Sequence, residues 1–225
     1  MTDAFPIAIN WTSVNKYDGS DWTAFNNGFT NEHLTLIQLV DAIKAGHAFT
    51  SPHRHEHPEV EGKAVCFRHS ANWIESQHAG ADHDELSIFD VLDIPFVANY
   101  AALVYTTPSH TEQAPRSRSV FILDQVVTDP AYYVRAMRAI TWHLAGKVDA
   151  ACKDAARVFY GSKDCTVRMV RNVLPLAVVD QLIAEYDAEE ARNLEEAQRE
   201  RAKKAAKRAT RPASDNDDVI CPFQC

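Results

Sequence analysis

The stretch that most constrains this chain is a pair of short apolar runs set close together. Ala101 to Thr107 (AALVYTT) and Ser119 to Leu123 (SVFIL) are rich in β-branched and aromatic residues, and the polar PSHTEQAPRSR separates them. Runs of this length and composition fit strands better than helices, so two neighbouring strands joined by a functional loop are expected. A helix is predicted next: Asp129 caps it, Pro130 occupies its first turn, Tyr133, Met137, Ile140 and Leu144 share one side, and Gly146 stops it. Upstream, Leu86 to Asp93 reads as a short helix halted by Pro95, with Phe89 and Leu92 on its buried face.

With a strand before that helix and a last strand near Ala156 to Tyr160, the order is strand, helix, strand, strand, helix, strand. This is a split βαβ arrangement and an α+β fold class. Elsewhere, Thr35 and Gln38 make a capping-box pattern ahead of Leu36, Leu39, Val40 and Ile43, with Gly46 as the stop. Residues 1 to about 33 read as an irregular or short-stranded cover with no assigned chemistry. Thr50 to Gly62 reads as a loop, because it holds two prolines and no apolar period. A helix from Leu176 carries Val179, Leu182, Ile183 and Tyr186, then grades into a charged segment, 188–209, that is helical by propensity but has no apolar stripe. The expected division is a catalytic domain over 1–187, with an N-terminal unit (1–75) and a core (76–165), followed by a charged helical tail or linker over 188–225.

A net charge of -8 sits awkwardly with binding to phosphates, but its distribution is uneven. Arg192 to Arg211 carries eight basic and three acidic residues, a local +5 that leaves -13 for the rest. Such a tail suits either a solvated linker or unspecific affinity for nucleic acid. No apolar run is long enough to span a membrane and the N-terminus lacks a secretory pattern, so a cytoplasmic protein is expected. Five irregularly spaced cysteines fit reduced thiols better than a disulfide framework.

Asp82 and Asp84 lie two apart in ADHDE, so on an extended strand both carboxylates leave the same face. Asp124 closes the apolar VFILD, at a strand end where an acid can face a cleft. Three carboxylates from adjacent strands could hold two hard divalent ions. On spacing alone, a solvated acidic turn and an ordinary strand-end residue explain the same pattern. Between Thr107 and Asp124 the chain also collects Ser109, His110, Arg116 and Arg118, donors suited to a triphosphate. A competing acidic pair, Asp90 and Asp93, belongs to the predicted short helix.

The stretch YTTPSHTEQAPRSRSVFILD, followed by DAACKDAARVFYGS, resembles the primase-polymerase domains of plasmids, phages and CRISPR-associated systems within the archaeo-eukaryotic primase superfamily. The resemblance covers about residues 80–162. It implies an archaeo-eukaryotic primase fold with an RNA-recognition-like sheet, an N-terminal α/β unit and a helical tail. It implies a nucleotidyltransferase, a DNA primase and polymerase, using Mg2+ or Mn2+ held by Asp82, Asp84 and Asp124. Ser109 and His110 would contact the incoming nucleotide's phosphates, with Arg116, Arg118 and Arg157 as further phosphate or template contacts. The implied partners are a single-stranded DNA template and primer and dNTPs or NTPs; a helicase or integrase module is a candidate fusion partner.

Other readings remain open. His53, His55 and His57 alternate in a loop and, with Cys221 and Cys225, could build a zinc site. A replication-initiator nickase of the His-hydrophobe-His type would use Tyr132 or Tyr133 as nucleophile, but HRH and HEH enclose charged residues rather than an apolar one. A non-catalytic single-strand-binding module would need exposed aromatics on which bases stack.

Overall fold

The computed structural model describes residues 3–55, 59–60, 63–64, 66–144 and 154–209. Contacts divide the chain into two units, Met1–Tyr186 and Asp187–Cys225.

The first unit begins with β1 (Phe5–Asn10), α1 (Trp22–Asn27), β2 (Thr30–Leu34), α2 (Leu36–Ala45) and β3 (Ala48–Thr50). The three strands form an antiparallel sheet in the order β2-β1-β3. Of the two alternatives expected here, an irregular or a short-stranded cover, the structure has the second, a sheet whose central strand, FPIAIN, is buried along its whole length. Six residues that are buried on both faces lack the alternation that would have marked them as a strand. By contrast α2 follows its local signals: the Thr35–Gln38 capping box forms, and Gly46 takes φ 92°, a left-handed turn that glycine adopts without steric cost.

A two-stranded hairpin, β4 (Glu59–Val60) and β5 (Lys63–Ala64), precedes the second sheet. The chain then runs through β6 (Ser76–Asp84), α3 (Ile88–Leu92), α4 (Pro95–Tyr100), β7 (Leu103–Thr106), β8 (Arg116–Val127), α5 (Pro130–His143) and β9 (Val167–Met169), and the four strands make that sheet. Its strand order is β6-β8-β7-β9, antiparallel throughout. The expected final strand at 156–160 does not join this sheet. Phe159 instead bridges to Phe49 of β3, and the fourth position is taken by β9 at the β7 edge.

β8 is buried on both faces, which explains its unbroken VFIL run. Val120 and Ile122 meet Ile7, Ile9, Leu39, Ile43, Leu103 and Phe159 on one side. Phe121 and Leu123 meet Ala79, Val91, Val97, Met137, Ile140, Val179 and Ile183 on the other. In α3 the buried residues are Ile88 and Val91, whereas Phe89 is 61% exposed with the Arg168 guanidinium 5.7 Å over its ring. The helix starts at Ile88, two residues after the expected Leu86, with Ser87 as its cap.

α6 (Leu176–Ala209) begins in the first unit, where Val179, Leu182 and Ile183 are buried. In the second unit its basic residues pair along the helix, Arg192 with Glu189, Arg199 with Glu195 and Lys203 with Glu200. No described helix is long and apolar enough to cross a membrane.

Candidate nucleotide-binding site

β6 and β8 run antiparallel with Asp82 opposite Arg118 and Asp84 opposite Arg116. Because side chains alternate along each strand, these four leave the same face of the sheet as two cross-strand ion pairs. Towards the sheet interior that face is apolar, formed by Val120 and Ile122 of β8 and by Leu103. Towards the strand ends it becomes charged, and there it opens into a cavity of about 580 Å³. Lys16, Arg68, Arg116, Arg118 and Arg157 line it as cations, facing the carboxylates of Asp82, Asp84 and Asp154. Thr107, Ser109, Ser117 and Tyr160 add hydroxyls.

The two ion pairs differ in kind. Arg118 is buried; its Nε donates to Asp82 Oδ1, and its Nη1 donates to the Tyr105 hydroxyl (2.7 Å) and to the Tyr160 carbonyl (3.0 Å). Its guanidinium also lies 4.9 Å over the Phe159 ring. Burial works against its charge, but Tyr105 and Asp82 outweigh this and raise its pKa. Burial pushes the Tyr105 phenol well above its ordinary range, so its hydroxyl stays protonated and donates to the Tyr160 carbonyl at 2.8 Å. Gly80 makes the arrangement fit: a Cβ there would stand 2.7 Å from the Phe159 ring. Asp82 Oδ2 accepts a further bond from Arg157 Nη2 at 3.1 Å. Asp84 and Arg116, in contrast, are both about half exposed and meet at 3.5 Å.

The 107–116 hairpin connection is closed by Thr107 N–H donating to the Arg116 carbonyl at 3.1 Å. His110 Nδ1 accepts the Arg116 N–H at 3.0 Å, which puts the proton of a neutral ring on Nε2. Ser109 lines the cavity; His110 does not, and instead holds the loop through its bond to Arg116. Arg68, which also lines the cavity, donates to the Asn26 side chain and to the Ala156 carbonyl, and burial pulls its pKa down from the usual arginine range.

The structure thus brings Asp82, Asp84, Ser109, Arg116, Arg118 and Arg157 to one cavity. It does not bring Asp124 there. Asp124 lies six residues along β8 from Arg118, about 20 Å at the rise of a strand. Its Oδ1 accepts the Leu176 N–H at 2.9 Å, at the start of α6. The three-carboxylate set expected for divalent ions is therefore not assembled, and no group of three or more metal-binding side chains occurs among the described residues. The pair Asp82 and Asp84 fits a more limited role. Mg2+ is commonly held by one or two carboxylates together with a substrate's phosphates rather than by an all-protein cage.

Asp90, from the competing pair, belongs to the capping box of α3 with Ser87. His53 is buried, its Nδ1 bonded to the Ser51 carbonyl, and burial lowers its pKa to about 4. His55 packs near Phe67, while His57, Cys221 and Cys225 lie outside the described residues. Tyr133 is buried with its hydroxyl donating to the His78 carbonyl, and Tyr132 donates to Asp180. Lys16, Arg68, Asp154 and Tyr160 also line the cavity; Lys16 and Arg68 belong to no motif, and Asp154 and Tyr160 lie in the stretch DAACKDAARVFYGS without having been singled out.

No family model matches this chain, and no curated protein does. Two solved structures are similar to it. One is the AEP domain of the cyanophage S-2L primase-polymerase, with a TM-score of 0.46 and 9% identity over 81% of this chain and 89% of that one. The other is the primase RepB′, with a TM-score of 0.43 and 13% identity over 89% of this chain and 64% of that one.

Proposed function

We propose that this chain is a nucleotidyl-transfer domain of the primase-polymerase type, which extends or starts strands on a single-stranded template from (d)NTPs. One observation carries the reading: two acids two residues apart on β6 face a cation-rich cavity of about 580 Å³. That volume lies in the range of small-molecule sites. Its five cations against three carboxylates suit a polyphosphate, in a chain whose overall charge is -8. The resemblance of YTTPSHTEQAPRSRSVFILD to primase-polymerase domains points the same way.

In this reading the ion pairs are a resting state in which arginines and acids neutralise each other. An arriving triphosphate takes Arg116 and Arg157 as phosphate contacts, with Ser109 as a hydroxyl donor. Asp84, half exposed and loosely paired, gives up its arginine at little cost. Arg118 has no such freedom: bound to Asp82, Tyr105 and the Tyr160 carbonyl, it positions Asp82. A bound Mg2+ or Mn2+ would neutralise phosphate charge and polarise the reacting oxygens, with Asp82 and Asp84 as its protein contacts.

A second reading is favoured by the same pairs. With arginines opposite both acids, the cavity would serve equally as a non-catalytic site for nucleic-acid phosphates. Incubating the chain with single-stranded template, labelled nucleotides and Mg2+ or Mn2+, with and without primer, separates the two. Templated products support the transferase. Tight template binding without any product, with either metal and either nucleotide type, supports the binding module.

A further inference from the structure

Three of the arginines at the charged cavity already hold a carboxylate: Arg116 pairs with Asp84, and Arg118 and Arg157 both pair with Asp82. Arg68 lines the same cavity and makes no ion pair among the described residues. We infer that Arg68 is the fixed phosphate anchor of the cavity, a guanidinium that holds a nucleotide's phosphates before any ion pair opens and without a divalent metal. The inference rests on the reading that the cavity takes nucleotide phosphates.

The guanidinium is held from two sides. Its Nε donates to the Asn26 side chain at 3.0 Å and its Nη1 to the Ala156 carbonyl at 2.6 Å. Ala156 stands between Asp154 and Arg157, which both line the cavity. Nη2 makes no hydrogen bond among the described residues and is not one of the enclosed atoms that lack a partner, so it is open to an acceptor arriving from the cavity. Asp154 is close enough to favour the Arg68 charge, but it is exposed and its Oδ1 accepts the Ala156 N–H at 3.0 Å. Burial, the larger influence, disfavours that charge. A desolvated guanidinium without a carboxylate is costly to keep, and phosphate oxygens are the acceptors its planar donors fit. The surroundings agree. Arg68, Arg118 and Arg157 face the carboxylates of Asp82 and Asp154, and Tyr160, beside all three arginines, adds no negative charge because burial raises its phenol pKa. Arg116 and Arg157 must each leave an acid to reach a phosphate, whereas Arg68 has none to leave and is already oriented. Lys16, also without an ion pair, is exposed on a flexible stem, so it adds charge without fixed geometry.

The test is isothermal titration of dTTP into the full chain, once with EDTA and once with Mg2+. Wild type should bind dTTP in EDTA, and inorganic tripolyphosphate should compete for the site. Arg68→Gln, which keeps an amide donor but no charge, should weaken binding in EDTA by about tenfold or more. Arg68→Lys keeps the charge but not the fork, and should weaken it by about threefold or more; it carries the comparison if Arg68→Gln does not fold. Arg116→Gln should weaken it by less than about threefold, since its exposed pair is loose. A merely structural Arg68 would show instead as a lower melting temperature with dTTP affinity kept. Folded Arg68 variants that bind dTTP in EDTA as well as wild type does would overturn the anchor and leave the cavity reading standing. So would wild-type binding that needs Mg2+, or a tripolyphosphate that does not compete. Binding of dTTP under neither condition would overturn the cavity reading, and this inference with it.

Discussion

The two ends of β8 both meet a carboxylate, and they use it differently. At its start, Arg118 and Arg116 face Asp82 and Asp84 of β6 beside a charged cavity. Six residues on from Arg118, Asp124 accepts a backbone N–H at the start of α6. Asp82 and Asp84 lie at the end of the polar β6, and Asp124 follows the apolar run of β8, so a carboxylate on a strand does not by itself tell the two places apart. What separates a site from a cap is the register with the neighbouring strand, which decides what the acid faces.

The largest expected effect on stability comes from breaking the buried end. Asp82→Ala leaves Arg118 buried without its charge partner, and should lower the unfolding free energy in urea by about 3–5 kcal/mol. A loss below about 1 kcal/mol would show that Arg118 finds water or another acceptor, and that the two ion pairs are alike.

Following the same β6 face inward from Asp82 leads to His78, buried and near Phe49 and Phe159, whose pKa burial lowers to about 4. His53 is buried in the same way. Each is neutral in the folded chain and takes up a proton first when unfolded. Their contribution is present above pH 6.5 and is lost as the pH falls to about 4, by about 3 kcal/mol for each histidine. Urea titrations at stepped pH should show this slope, and a fully buried Leu or Met at position 78 should remove half of it.

The Asp124 end should be the mild one. Asp124→Ala removes a single exposed helix-start acceptor and should cost about 1 kcal/mol. A loss as large as that of Asp82→Ala would mean that the strand end carries more than a cap.

Features set by neighbouring residues were readable from the sequence. The Thr35–Gln38 box, the Asp129 cap before Pro130 and the apolar β8 run all depend on spacing within a few residues. Asp82 and Asp84 were legible as a same-face pair for the same reason. Long-range partners were not. Nothing local indicates that Arg118 is buried against Tyr105 and Phe159, or that Phe159 sits against Gly80. Nor does it show that β9 rather than 156–160 completes the sheet. Lys16 and Arg68 enter the cavity from segments with no motif, so only the fold identifies them.

The central claim is that the acids at the β6 end, and not Asp124, serve nucleotide chemistry. The most direct measurement is templated incorporation of labelled nucleotide by Asp84→Asn and Asp124→Asn, each compared with wild type at matched stability. Asp84 is about half exposed and loosely paired, so its variant should fold normally yet lose incorporation by at least about 100-fold, while Asp124→Asn keeps near-normal activity. The reverse pattern, with Asp124→Asn inactive and Asp84→Asn active, would contradict the account.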